Sequence, residues 1–272
     1  MKIRTRAALF TPATHPERFP KSSEAEADLL FIDLEDSVAP ADKLRARQTA
    51  LAALAEPNTS STARAVRINS IRTKAGITDL AALSESDVQP DAIVLPKTES
   101  PVEISIVAAA FRDRPDIKLI PIIESSHGLE AACEIAAASD RILALLVGAA
   151  DLAGELGCTL DAANITAARV KVVEACARAG VAAMDSPYFN FHDPDGLARE
   201  AVQAQQMGFT GKAAIHPLQI PPLLKIFSPT PEAVKRAREI LQINEHGVGE
   251  IGGLMVDEAV ARQARRVIAA AE

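Results

Sequence analysis

The 272-residue sequence contains no tryptophan, and aromatic residues make up only 3% of it. It also lacks an excess of basic residues, because its 29 Lys and Arg are outnumbered by 36 Asp and Glu, which gives a formal net charge of −7. A nucleic-acid-binding protein needs basic surface for the phosphates, and a single-strand binder also needs aromatic platforms for the bases. Both shortages argue against a nucleic-acid partner. An anionic small molecule would need a local cluster of arginine, backbone N–H groups or metal.

Long apolar runs and paired cysteines are missing as well. No segment approaches the roughly 20 apolar residues of a membrane helix, so no membrane partner is expected. The apolar run at residues 7–10 is too short for a secretory signal, and we interpret it as part of a first strand. Cys133, Cys158 and Cys176 are odd in number and form no C-x-x-C pair, which argues against a disulfide framework or a zinc site. We therefore predict a cytoplasmic protein.

Eight short apolar or β-branched runs recur along the chain, most of them followed by a helical pattern. They lie at residues 6–12, 28–35, 64–69, 91–97, 118–124, 141–149, 182–187 and 212–217. Nearly continuous apolar runs are typical of parallel strands covered on both faces, and their alternation with helices predicts a parallel α/β fold. Eight strand–helix pairs favour a closed (β/α)8 TIM barrel, a fold of about 250 residues.

The pattern changes in the C-terminal part of the chain. A proline-rich stretch is followed by a predicted helix after residue 230, a glycine-rich bend, and a last helix at about 258–271. We predict a barrel at residues 1–225 and a C-terminal helical extension, an arm or lid, at residues 226–272.

Polar residues gather at the carboxyl ends of the predicted strands. They are Asp33, Glu35, Asp36, Arg67, Asn69, Lys97, Glu124, Ser125, Asp151, Asp185 and His216. In a TIM barrel these strand ends open onto one face, and that face carries the active site. The clustering therefore predicts an enzyme.

Two of these carboxylates are candidate metal ligands. Glu124 ends the fifth strand and Asp151 follows the sixth, so adjacent strands of a barrel would bring them together. Two oxygen ligands with room for water and substrate suit Mg²⁺, which keeps several non-protein ligands. The alternative for either residue is a helix cap, above all for Asp151, which begins a helical stretch. Their position on neighbouring strands favours the metal.

Arg67 is the candidate for binding an anionic substrate. A guanidinium at the end of the third strand can make a bidentate contact with a carboxylate. The alternative is an ion pair with Asp33, Glu35 or Asp36 on the neighbouring strand. The substrate-binding role and the ion pair are compatible if these acidic residues surround the arginine and orient it.

Three further features have either a functional or a structural interpretation. Gly148, Ala149 and Ala150 precede a helix whose N–H groups would bind a substrate carboxylate. Lys97 is either a Schiff-base lysine or, as we favour, a partner in an ordinary ion pair. His216 is either a general base or a hydrogen-bonded structural histidine.

Several motifs occur in the same order as in a known family. They are FIDLEDSVAPADK, VRIN, IVLPK, PIIES, VGAADLAGELG, KAAIHP and LMVDEAV. Over nearly its whole length the chain resembles the citrate lyase β-subunit-like branch of the HpcH/HpaI aldolase superfamily, which includes malyl-CoA and citramalyl-CoA lyases. The resemblance implies a carbon–carbon lyase whose substrate is a 3-hydroxyacyl-CoA thioester such as citramalyl-, malyl- or citryl-CoA. Cleavage would give a keto acid and an acyl-CoA, and the reverse reaction would join them.

The resemblance also implies roles for individual residues. It implies Mg²⁺ held by Glu124 and Asp151, and substrate held by Arg67 and by backbone amides at 148–151. Asp257 in the LMVDEAV motif would be an acid/base group supplied by a neighbouring subunit. We therefore expect a homo-oligomer such as a trimer, with the C-terminal extension packed on a neighbour. From the residues alone, Asp257 is a helix N-cap.

The sequence departs from the family at two places. It has Pro12–Ala13–Thr14 where a Pro-Gly turn is usual, in a loop that shapes the thioester side of the site, and Ser186 where glycine is common.

Two alternative functions stay open. One is a metal-dependent aldolase that acts on free 2-keto acids, such as oxaloacetate or pyruvate, without CoA. The other is a partner-dependent citrate lyase β subunit, whose substrate is presented by an acyl carrier protein.

Overall fold

The structure, a computed structural model, describes residues 3–245 and 247–271. Eight parallel strands form a closed barrel in chain order, with the last strand paired to the first. They are β1 (Ala7–Pro12), β2 (Leu29–Asp33), β3 (Ala63–Arg67), β4 (Ala92–Leu95), β5 (Lys118–Ile123), β6 (Ala144–Val147), β7 (Ala182–Asp185) and β8 (Gly211–Ala214). The prediction of a TIM barrel is confirmed, although most strands end before the polar residues that follow each run.

Helices connect the strands around the barrel. They are α1 (Pro20–Glu24), α2 (Lys43–Ala55), α3 (Lys74–Glu85), α4 (Pro101–Ala110), α5 (Ser126–Glu130), α6 (Ala132–Ala136), α7 (Ala149–Leu156), α8 (Ala163–Ala179), α9 (Pro194–Met207) and α10 (Ile220–Phe227). Their ends follow local chemistry. The Asp193 side chain accepts a hydrogen bond from Gly196 N and caps α9, Pro194 occupies the first turn, and Gly208 ends the helix at φ 104°.

Alternate strand residues fill the centre of the barrel. Leu29 and Phe31 on β2, Ala63 and Ala65 on β3, and Ile120 and Ile122 on β5 belong to one buried cluster. Because side chains alternate between the two faces of a strand, the next residue in each series also points inward, at the carboxyl end. Those residues are Asp33, Arg67 and Glu124, so the alternation itself directs them into the mouth of the barrel.

The same alternation shows that the predicted position of Asp185 is wrong. Met184 belongs to the central cluster, so Asp185 points outward to the helices and is fully buried there. It receives two hydrogen bonds of 2.9 Å from Arg169 on α8 and one of 2.6 Å from Lys212 on β8. Lys212 also donates to Glu200 on α9 at 2.6 Å. This ion network ties two strands to two helices.

The chain divides into two compact units, Met1–Leu224 and Lys225–Glu272. The second contains α11 (Pro231–Asn244), β9 (Gly249–Ile251), β10 (Leu254–Val256) and α12 (Glu258–Ala271), and α11 packs on α12. The glycine-rich bend is an antiparallel hairpin, because Gly252 and Gly253 have φ of 57° and 81° and supply its two-residue turn. Among the described residues, no helix has the length and apolar character needed to cross a bilayer.

Candidate active site

Glu124 lies directly after β5 and is only 5% exposed. Its Oε1 accepts a 2.6 Å hydrogen bond from the Lys97 backbone N–H. On the other side it faces Gly148, where an added Cβ would lie 2.3 Å from its Oε2. Burial, followed by the negative charges of Glu35 and Asp151, raises the pKa of Glu124 to about 8. The carboxylate is thus held between two backbone segments, in a place that disfavours its charge unless a cation is close by.

Asp151 lies in the first turn of α7 and is exposed. The N-cap of α7 is Gly148, and no side chain caps this helix. The helix-cap alternative for Asp151 is therefore wrong, and its carboxylate has no hydrogen-bonding role within the helix. Its charge contributes to the raised pKa of Glu124, which places the two groups within electrostatic reach of each other.

The donor set fits magnesium better than zinc. Within residues 3–245 and 247–271 no group of three or more His, Cys, Asp or Glu side chains is arranged around a common metal position. A cation here would therefore take Glu124 and Asp151 from the protein and fill its remaining positions with water and substrate oxygens. Mg²⁺ binds in this way, whereas structural zinc takes four protein ligands.

Arg67 ends β3 directly beside Asp33, its partner in the strand register. Arg67 donates from Nε to Asp33 Oδ1 at 2.7 Å and from Nη2 to Asp33 Oδ2 at 2.6 Å. Its Nη1 lies 2.9 Å from Glu35 Oε2, an ion pair whose angle falls outside that of a hydrogen bond. The guanidinium packs over the Phe10 ring at 4.7 Å. The ion-pair alternative is confirmed.

Burial, hydrogen bonds and neighbouring charges shift the pKa values of the groups around Arg67. Burial opposes the charge of Arg67, but the hydrogen bonds and the charge of Asp33 raise its pKa overall. Burial likewise opposes ionisation of Asp33, yet Arg67 and Ser37 hold the pKa of that carboxyl below its usual value. For Glu35, burial dominates and raises the pKa in spite of Arg67 and Lys97. The arginine is therefore a fixed cation in the barrel mouth.

Lys97 forms an ion pair, as the sequence favours, but with different partners from the nearby Glu99. Its Nζ lies 2.6 Å from Glu35 Oε1 and 3.3 Å from Asp36 Oδ1. Although burial lowers the pKa of Lys97, the hydrogen bond to Glu35 and the charges of Glu35 and Asp36 raise it overall. A Schiff-base lysine needs a depressed pKa, so this environment does not favour that chemistry.

The segment before α7 combines space with backbone donors. The N–H of Gly148 donates to Ile123 O at 3.0 Å and is therefore not a donor for a substrate. The contribution of Gly148 is the space that its missing side chain leaves beside Glu124. Ala149 and Ala150 begin the helix, and N–H groups in a first helical turn have no partner within the helix. These two residues therefore offer the donors that were predicted for a substrate carboxylate.

Two further candidates have local structural roles. His216 Nδ1 accepts a hydrogen bond from Leu218 N at 3.2 Å, and its ring stacks on Phe191 with centroids 4.9 Å apart. Asp257 lies in the second compact unit, where its Oδ1 accepts from Val260 N at 3.0 Å. Its interpretation as a helix N-cap is confirmed, and its catalytic role stays a prediction.

Sequence reasoning missed residues that hold this mouth in place. The Lys43 ammonium donates to Leu34 O at 2.8 Å and to Glu35 O at 2.7 Å, which fixes the chain after β2. Arg72 donates to Lys97 O at 2.7 Å. Both are surface-type residues that contact backbone carbonyls, and nothing in their sequence context distinguishes them from solvated charges.

Comparison with known proteins identifies the family. Residues 6–217 match the HpcH/HpaI aldolase/citrate lyase family. The chain belongs to this family. It is 32% identical to the L-malyl-CoA/beta-methylmalyl-CoA lyase of Rhodobacter capsulatus, over 98% of this chain and 94% of the relative. It is 33% identical to the citrate lyase subunit beta of Escherichia coli, over 100% of this chain and 95% of the relative.

Solved structures agree with this assignment. RipC from Yersinia pestis is 41% identical with a TM-score of 0.76, over 86% of this chain and 100% of that chain. CitE from Mycobacterium tuberculosis, solved in complex with magnesium, acetoacetate and coenzyme A, is 31% identical with a TM-score of 0.81, over 100% of this chain and 99% of that chain. The predicted family and the predicted class of enzyme, a carbon–carbon lyase, are confirmed.

Proposed function

We propose that this protein is a Mg²⁺-dependent lyase that cleaves, or in reverse forms, the carbon–carbon bond of a 3-hydroxyacyl-CoA thioester. One observation carries the proposal. Glu124 is buried in the barrel mouth with its Oε1 held by the Lys97 N–H at 2.6 Å, and burial followed by the charges of Glu35 and Asp151 raises its pKa, so its ionised form is favoured only when a cation binds beside it. Arg67 and the first turn of α7 lie beside this position as ready donors for a substrate carboxylate.

The chemistry follows from these groups. When bound, Mg²⁺ supplies a Lewis acid that polarises the substrate oxygen on the carbon that becomes the keto group. Arg67, already oriented by Asp33, binds the carboxylate of the keto-acid part. The amides of Ala149 and Ala150 bind the same part from the other side. The Arg67 side chain and Ala149 are shielded from water, which strengthens their contacts with the substrate.

The second compact unit supplies the proton in this proposal. In the direction of cleavage a base takes the proton of the substrate hydroxyl, the keto group forms as the carbon–carbon bond breaks, and Asp257 of a neighbouring subunit protonates the enolate carbon that is released. In the direction of synthesis Asp257 deprotonates that carbon, and the hydroxyl proton is returned. The support for this role of Asp257 is the LMVDEAV motif, in which the sequence resembles the family. This role makes the active protein a homo-oligomer, such as a trimer, whose C-terminal unit packs on a neighbour. We place the enzyme in the cytoplasm, a reducing compartment that suits its free Cys133, Cys158 and Cys176.

A citrate lyase β subunit is the second candidate. It is favoured by the 33% identity to the Escherichia coli citrate lyase subunit beta across the whole chain. In this case an acyl carrier protein, and not CoA, presents the acyl group, and the purified chain needs that partner for turnover. The residues around the metal would act in the same way.

Turnover by the purified protein tests the proposal. Citramalyl-, malyl- and citryl-CoA are supplied with Mg²⁺ or with EDTA, and cleavage of one thioester that EDTA abolishes is the expected result. Glu124→Gln, which keeps the side-chain shape, should lose at least about 100-fold of this activity, because losing even an outer partner of a metal ligand costs about 10- to 100-fold. Glu134→Gln on the exposed face of α6 is the matched control and should match the wild type.

Three outcomes would redirect the assignment. Full activity of Glu124→Gln would show that the metal is not held there. Activity only after addition of an acyl carrier protein would favour the citrate lyase subunit. Mg²⁺-dependent binding of oxaloacetate or pyruvate, without cleavage of any thioester, would favour an aldolase for free keto acids.

A further inference from the structure

Lys97 has an unusual backbone conformation. Its φ is 53°, and among the described residues only Glu26 shares a positive φ without being glycine. A left-handed conformation brings the Cβ of an L-residue close to the backbone, so it persists only where surrounding contacts hold it. The positive φ therefore indicates that contacts around Lys97 hold its backbone in this conformation.

That conformation directs one backbone group at the metal site. With Lys97 in this geometry, its N–H donates to Glu124 Oε1 at 2.6 Å. The neighbouring peptide also turns, and Thr98 N donates to Ile122 O at 3.3 Å on β5. The carboxylate that we assign to Mg²⁺ is thus oriented by the main chain of the preceding strand's loop.

Arg72 holds the other side of the same residue. It lies in the loop after β3, and its Nη2 donates to Lys97 O at 2.7 Å. Its Nη1 pairs with Glu99, and its Nε lies 3.3 Å from Glu103 Oε1, so two acidic residues fix the guanidinium. Lys97 is therefore bound by Arg72 at its carbonyl and by Glu124 at its N–H.

We propose that Arg72 is a positioning residue for the metal site, which it controls by keeping Lys97 in the left-handed conformation that orients Glu124. Arg72 touches neither the metal nor the substrate in this assignment. The inference rests on the proposed function in one respect, that Glu124 binds the metal. Partners that orient a metal ligand through hydrogen bonds account for about 10- to 100-fold of metal affinity in other proteins.

The sign of the effect separates positioning from charge. Arg72 is a cation near a cation site, so its removal should strengthen metal binding if charge alone matters. If Arg72 acts through the backbone of Lys97, its removal should weaken metal binding instead. The two explanations therefore predict opposite changes in the dissociation constant.

Metal binding by the full chain provides the test. Mn²⁺, which also prefers carboxylate oxygens, is titrated into the protein and the free ion is measured by EPR. We expect Arg72→Met to raise the dissociation constant about tenfold. Arg45→Met removes an exposed arginine that pairs with Asp42, and it should bind Mn²⁺ like the wild type. Thermal unfolding verifies that each variant is folded.

A second pair of variants isolates the backbone conformation. Glycine adopts positive φ without strain, so a protein with Lys97→Gly no longer needs an arginine to hold that conformation. In the Lys97→Gly background, adding Arg72→Met should change the dissociation constant by less than about threefold. A merely structural role of Arg72 would not be relieved by this substitution.

Each outcome has a definite meaning. An unchanged or lower dissociation constant for Arg72→Met, with Mn²⁺ bound by the wild type, overturns the inference and leaves the proposed function in place. A full tenfold loss in the Lys97→Gly background overturns it as well. Failure of the wild type to bind Mn²⁺ overturns the proposed metal site and the inference with it.

Discussion

Alanine at position 148 would test the geometry around Glu124 directly. Gly148 has φ −98° and ψ 73°, so its backbone does not itself require glycine. The space does, because a Cβ there would lie 2.3 Å from Oε2 and 2.4 Å from Cβ of Glu124. The carboxylate oxygen can rotate away, but the Cβ of Glu124 is fixed to the end of β5. The strand end or the start of α7 must therefore move.

The size of the effect follows from that displacement. Overpacking of a closed site costs about 1–3 kcal/mol, and a shift of about 1 Å at a reacting group can cost about 100-fold in rate. We expect Gly148→Ala to weaken Mg²⁺ binding about 10- to 100-fold and to reduce turnover accordingly. Isothermal titration with Mg²⁺ measures the first effect, and urea unfolding measures the loss of stability.

Gly154→Ala is the matched control. Gly154 lies in the same helix, α7, and its added Cβ would meet no atom within 4 Å. Replacing an exposed glycine inside a helix by alanine should stabilise the protein by about 1 kcal/mol and leave Mg²⁺ affinity unchanged. If Gly148→Ala binds Mg²⁺ as tightly as Gly154→Ala, the contact between Gly148 and a metal-binding Glu124 is refuted.

Three other predictions concern separate parts of the barrel. Arg67→Lys keeps the charge but loses the planar fork, so kcat/KM should fall at least about tenfold in the thioester assay, and a value equal to the wild type would argue against a bidentate substrate contact. Lys212→Met leaves Asp185 with one cation fewer in a buried setting and should lower the free energy of unfolding by about 3 kcal/mol in urea, without altering Mg²⁺ affinity. Iodoacetamide at pH 8 should label the exposed Cys133 and spare Cys176 until the protein unfolds. The reason is that burial raises the pKa of the Cys176 thiol to about 12. Mass spectrometry of the labelled native protein measures which cysteine has reacted.

The sequence does not show side-chain direction where successive strand residues are all apolar. In IPIIES the four residues before Glu124 are apolar, and only the packing of Ile120 and Ile122 in the centre of the barrel shows that Glu124 points inward. In AAMDSP both Ala183 and Met184 are apolar, and no alternation shows that Met184 is the inward one. Asp185 was therefore assigned to the wrong face, although its strand was predicted correctly.

Backbone conformation and long-range contacts set the other limit on prediction. Lysine rarely adopts positive φ, so the conformation of Lys97 has no sequence signature of the kind that glycine provides. The contacts of Lys43 and Arg72 go to carbonyl oxygens, which every residue carries, and no residue type marks the acceptor. The candidate metal and substrate residues were found because their types are chemically distinctive. The residues that hold them were not.

The residues that we assign to the metal and the substrate lie in different parts of the fold from the places where the sequence is expected to depart from the family. Asp33, Arg67 and Glu124 extend barrel strands, and rigid strands position such groups accurately. The departures lie in loops after β1 and β7. Ala13 is fully buried, and its N–H donates to Asp33 O at 2.9 Å, so the unusual turn is attached to the residue that orients Arg67. Substitutions in that turn can therefore change how the substrate is held without changing the metal ligands, and substrate preference in this chain should depend on it.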